Sequence, residues 1–149
     1  WLAITESMST QKITLNGLIL TASAAICLLT LVLSVLKTVG VPLPYLRSLE
    51  YAIGGDKVLH LVFAFSVMLA VSATLAICLK KSRYRIQPYI IAGGLVMVLC
   101  LLDECLQAFS PQRQFDLNDF LMSGAGALLA WLLFQVGLKI YQEEELSDD

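Results

Sequence analysis

Four stretches that contain no Asp, Glu, Lys or Arg decide what this chain can become: Ile13–Leu36, Val58–Leu79, Ile86–Leu102 and Phe120–Leu138. A helix that crosses about 30 Å of hydrocarbon at 1.5 Å per residue needs roughly 20 residues, within a range of about 17–25, and all four meet it. Water is absent there, so each crossing segment must satisfy its own backbone, and a helix does so. The expected fold is therefore an all-α integral membrane protein, a four-transmembrane-helix bundle in a single domain over residues 1–149, with spans near 13–36, 57–79, 86–108 and 117–138.

Composition agrees with that solvent. Of 149 residues, 58% are hydrophobic and 15% charged, against about 25% charged in soluble domains. The net charge of −2 comes largely from Glu143, Glu144, Glu145, Asp148 and Asp149, read as a solvated cytoplasmic tail over 142–149. It gives no support for nucleic-acid binding. The first run carries no small-residue cleavage site beyond its end, so the expectation is a retained helix rather than a signal peptide; Trp1–Ser7 precede Met8, and the sequence leaves open whether they are native chain. Gly17, Thr21, Ala24 and Ala25 in the first run, and Ser123, Gly124, Ala125, Gly126, Ala127 and Ala130 in the fourth, are small enough for close helix approach.

Between the first two runs, Lys37–Asp56 holds Pro42, Pro44, Gly54 and Gly55. Tyr45, Leu46, Leu49, Ala52 and Ile53 recur there at helical spacing opposite Arg47, Ser48 and Glu50. A short interfacial helix with Pro44 in its first turn fits this pattern, and a plain loop is the alternative.

Orientation follows from the basic loop. Lys80, Lys81, Arg83 and Arg85 crowd one connection, which the positive-inside rule assigns to the cytoplasm, and four crossings then put both termini there as well. Three distant pieces of sequence consequently meet on the outer side: Asp56, Lys57 and His60 open the second span, Asp103, Glu104 and Gln107 close the third, and Arg113, Asp116 and Asp119 precede or open the fourth. Ionisable groups inside a span cost roughly 2.5–3.5 kcal/mol each on insertion scales. Their convergence at helix ends is read as one polar site. Asp103, Glu104 and Gln107 share a helix face, and the neighbouring carboxylates call for a compensating cation in Arg113, Lys57 or protonated His60. Each residue also has a plain structural role open to it: Asp56 as an N-cap, Asp116 and Asp119 as cap and dipole partners, His60 as a satisfied interhelical histidine.

Two other chemistries are not expected. Cys27, Cys78, Cys100 and Cys105 lie in or near spans without a CxxC pair, which argues against disulfides and thiolate metal sites. His60, Glu104 and Asp119 are suitable ligand types for a divalent cation, but with one histidine and no dense ligand motif neither a metal nor any other cofactor is expected.

The spacing Asp56-Lys57-x-x-His60, then Glu104-x-x-Gln107, Pro111-x-Arg113, Asp119 and Gly126, resembles the VanZ-like family of small membrane proteins, named for a teicoplanin-resistance protein. The resemblance covers Asp56 to Leu138; Ser123 stands where the family usually has asparagine. It implies residence in the bacterial inner (cytoplasmic) membrane, a link to the cell envelope and antibiotic resistance, and Asp56, Lys57, His60, Glu104, Gln107, Arg113 and Asp119 as site residues. The first expected function is binding of a cell-envelope precursor or a glycopeptide-type ligand, with membrane lipids as the constant partner. The second is an enzyme acting on a lipid-linked or peptidoglycan-related substrate, with His60 or Glu104 as general acid/base and Arg113 stabilising negative charge. In the third, the cluster is a structural lock that supports a partner subunit.

Overall fold

The computed structural model describes residues 2–41, 44–79, 86–109 and 115–147. Five helices follow in order: α1 Leu2–Val39, α2 Pro44–Ile53, α3 Asp56–Cys78, α4 Gln87–Gln107 and α5 Leu117–Ser147. Four of them carry segments long and apolar enough to cross a membrane, Ile13–Val39, Asp56–Cys78, Pro88–Gln107 and Leu117–Tyr141. The protein is an all-helical membrane bundle with a short helix between its first two spans. α1 begins well before its apolar part, and α5 continues through the acidic residues Glu143–Glu145, so the backbone of that tail is helical to Ser147.

The bundle is built around α3 and α5, which share the most extensive interface. Gly126 makes that approach possible: a Cβ there would overlap the backbone carbonyl of Leu61. Ala64 and Met68 of α3, Val96 of α4, and Ala127 and Ala130 of α5 form the buried core, with Phe65, Val71, Met97 and Trp131 packed against it. The small-residue face of α5 is thus a packing face, as its composition suggested.

α1 behaves differently. Only 6% of its most apolar window is buried inside the chain, against 22% for each of the other three spans. Thr21, Ala24 and Ala25 are exposed, and a Cβ on Gly17 would meet nothing within 4 Å. The expectation that this face receives another helix does not hold within the chain. Thr21 and Thr30 instead donate to carbonyls of their own helix, which satisfies them without a neighbour.

α2 is the short helix anticipated from Pro44, in place of the loop alternative. Its rotation differs from the pattern. Tyr45 is 91% exposed and Leu49 also exposed, whereas Glu50 is half-buried and turned toward the bundle. The reason is charge: Lys37, at the end of α1, pairs with Glu50, and an ion pair satisfies that carboxylate while the apolar side faces outward, as an interfacial helix requires. The turn into α3 places Gly54 and Gly55 at φ of +107° and +105°, a region open to glycine at little cost.

Candidate functional site

The C-terminal end of α1, the N-terminal end of α3, the C-terminal end of α4 and the N-terminal end of α5 lie on one side of the bundle. Side-chain links tie them together. Lys37 of α1 pairs with Asp56 of α3, Ser34 of α1 donates to Asp103 of α4, and Lys57 of α3 donates to Asp116, which precedes α5, at 3.1 Å.

His60 is the hub. One turn into α3, it sends Nδ1 to within 3.5 Å of Glu104 Oε1 on α4. Its Nε2 lies 3.6 Å from Asp56 Oδ1 and 3.8 Å from Asp119 Oδ2 on α5. Three helices thus contribute carboxylates around one imidazole. Glu104 is 1% exposed, Gln107 1% and Asp119 7%, depths that carboxylates and amides almost never reach unless they are engaged. Gln107 Nε2 donates to Asp103 Oδ2 at 2.8 Å, the i,i+4 relation on one face of α4.

The roles of the acids sort by position. Gly55, not Asp56, occupies the N-cap of α3; Asp56 is the first helical residue, and its carboxylate meets Lys37 and His60 instead. Asp116 does cap α5, accepting the Asn118 backbone N–H at 2.8 Å. That bond first, and the Lys57 ammonium second, hold the Asp116 carboxyl below its ordinary pKa of 3.8. Asp119, one turn on, points inward. Arg113 and Pro111 lie outside the described residues, as does the basic loop of Lys80, Lys81, Arg83 and Arg85.

A cavity of about 830 Å³ opens beside the cluster, between α1, α3 and α4. Most of its wall is apolar, with Leu31, Phe63, Val67, Leu95 and Leu99 among the lining residues, and its polar side chains include Ser34, Lys37, His60, Asp103, Gln107 and Ser123. Of the site residues expected from the sequence, His60 and Gln107 line it. Asp56, Lys57, Glu104 and Asp119 stand outside the lining, and the last two are buried next to His60. Ser34 and Lys37 were missed. The only signal for them was a serine and a lysine near the end of an apolar run, which is uninformative until α1 is placed beside α3 and α4.

A family model described as VanZ/LLP1 matches residues 4–138. The chain belongs to the VanZ/LLP1 family. That match takes in α1, which the spacing of the polar residues alone did not reach, so the helix that forms one wall of the cavity is part of the VanZ-like unit. No curated protein and no solved structure matches the chain.

Proposed function

We propose that this VanZ-like membrane protein binds an amphiphilic cell-envelope or glycopeptide-type ligand, whose apolar part lies between α1 and α4 and whose polar head meets Lys37, His60, Asp103 and Gln107. One observation carries the reading: a largely apolar cavity with these four polar residues, together with Ser34, in its wall. Its volume is in the range of pockets that enclose small ligands, about 300–1,000 Å³. Lys37 is already shared between Glu50 and Asp56, and Lys57 is engaged by Asp116, so neither is a free counter-charge. The lining carries both donors and acceptors, which suits a hydroxyl-bearing or sugar-like head more than a bare anion. The charge of the loop around Arg83 supports an outward-facing site with both termini in the cytoplasm, and family membership supports the bacterial cytoplasmic membrane and a consequence for teicoplanin susceptibility.

An enzymatic reading has one specific observation in its favour. His60 stands at the cavity wall with the buried Glu104 carboxylate 3.5 Å from Nδ1, an orientation suited to a general acid/base. Conversion of a lipid-linked sugar to a new product by purified protein, abolished in Glu104→Gln, separates this reading from binding alone.

Native mass spectrometry of the protein extracted in mild detergent tests the binding reading. An amphiphile retained by the wild type is expected to be held less well by Leu95→Trp, which narrows the cavity from an exposed wall position. A delipidated wild type is expected to take up an added polyprenyl-linked sugar. Retention and uptake unchanged in Leu95→Trp, or no amphiphile in either form, overturn the reading.

A further inference from the structure

We infer that Asp56, His60 and Asp119 form a site for one divalent transition-metal cation, with zinc the closest fit to its ligand set. The inference goes beyond ligand binding in the cavity and does not depend on it. One ligand atom from each of the three residues falls within 4.8 Å of the other two. The separations themselves are informative. His60 Nε2 lies 3.6 Å from Asp56 Oδ1 and 3.8 Å from Asp119 Oδ2, longer than a direct hydrogen bond of about 2.7–3.2 Å. Atoms that share a metal at about 2.0–2.2 Å stand well over 3 Å from each other in tetrahedral geometry, which is the spacing seen here.

Two further observations point to a cation rather than to a plain polar cluster. The Asp119 side chain is nine-tenths buried, and its Oδ1 finds no hydrogen-bond donor among the described residues; its ion pair with Lys57 is long, at 3.9 Å, and Lys57 donates instead to Asp116 at 3.1 Å. A carboxylate so deep in a bundle is costly when its one ammonium partner is distant and shared with another acid. The second is the other side of the imidazole. His60 Nδ1 faces the buried Glu104 carboxylate at 3.5 Å, while Nε2 faces both aspartates. A metal-bound histidine characteristically directs its second nitrogen at a carboxylate, which fixes the ring and raises its basicity. Three protein ligands also leave one coordination position open to water or to a ligand atom, the arrangement of reactive rather than purely structural zinc sites.

Metal titration of the full chain decides the matter. Protein purified in detergent, stripped with a chelator and titrated with zinc alone by calorimetry is expected to bind one ion per chain. His60→Gln and Asp119→Asn are expected to weaken binding by more than 100-fold, roughly beyond the 10–100-fold expected of Glu104→Gln, which acts through His60. Leu95→Trp, which narrows the cavity, is expected to leave zinc affinity unchanged, so loss of amphiphile binding and loss of metal binding are distinguishable. X-ray absorption of the zinc-loaded wild type supplies a readout free of variants. One imidazole with oxygen ligands and no sulfur is expected. Absence of zinc binding to folded wild type, binding unaffected by both His60→Gln and Asp119→Asn, or thiolate ligation by any of the four cysteines overturns the inference.

Discussion

Asp116 and Asp119 stand three residues apart and face the same side, where Lys57 reaches both, yet they serve different ends because Asp116 precedes α5 and Asp119 lies within its first turn. Asp116 is outside the apolar segment, caps the first turn through the Asn118 N–H and pairs with Lys57. Asp119 is carried inward to His60. The lowered pKa of Asp116 has a defined consequence for acid stability. Its ionised form is favoured in the folded protein, so the stabilisation is complete above the ordinary value of 3.8 and is lost as pH falls below it, through the lower folded value. A carboxyl-carbon titration by NMR is expected to give a midpoint under 3.8 for Asp116, and Asp116→Asn is expected to flatten the loss of stability below that pH. A midpoint at or above 3.8 would contradict the cap and the Lys57 contact together. At this scale the sequence was partly legible: it offered cap and site as alternatives for both aspartates, and only the depth at which each side chain sits separates them.

Helices in this protein differ in what their small residues do. On α5 the stripe through Gly126, Ala127 and Ala130 is buried against α3, whereas on α1 Gly17 meets open space. Gly126→Ala is expected to force α3 and α5 apart at Leu61, an overpacking cost of about 1–3 kcal/mol. Thermal unfolding in one detergent would register this as a clear loss, and Gly124→Ala as a smaller one, because its nearest neighbour is the flexible end of Met97 at 3.1 Å. Gly17→Ala is expected to be neutral or to gain up to about 1 kcal/mol from helix propensity. A large loss there would mean that α1 packs on something outside the chain. Both stripes read alike as sequence, since small residues permit close approach without requiring it. The α2 helix carries a related lesson: its apolar spacing predicted a helix correctly, but Glu50 turns inward because Lys37 waits there, a residue on a different helix.

The molecule as a whole presents one polar end and one largely apolar body, and every described charged residue of the site belongs to that end. This arrangement makes membrane orientation testable in a cysteine-free background, with Cys27, Cys78, Cys100 and Cys105 replaced. Leu49→Cys on α2 and Glu143→Cys on α5 are both exposed and lie at opposite ends. A membrane-impermeant maleimide applied to intact cells is expected to label the first and spare the second, which becomes reactive only after permeabilisation. The reverse pattern would put the cavity mouth in the cytoplasm and remove an outward-facing site.

Apolar length measured against bilayer thickness is a local property, and so the four spans, their number and the common end of Asp56, His60, Glu104 and Asp119 could be read from residue order and loop charge. The angle at which each helix is rotated about its own axis is not local. A span that is apolar on every side carries little periodic signal for that angle, so nothing in the order of residues placed Ser34 and Lys37 in the cavity wall, Asp56 beside Asp119, or Glu104 behind the imidazole. Packing decided those, through the close passage of α3 over Gly126 and the ion pairs that draw the ends of α1, α2 and α3 together.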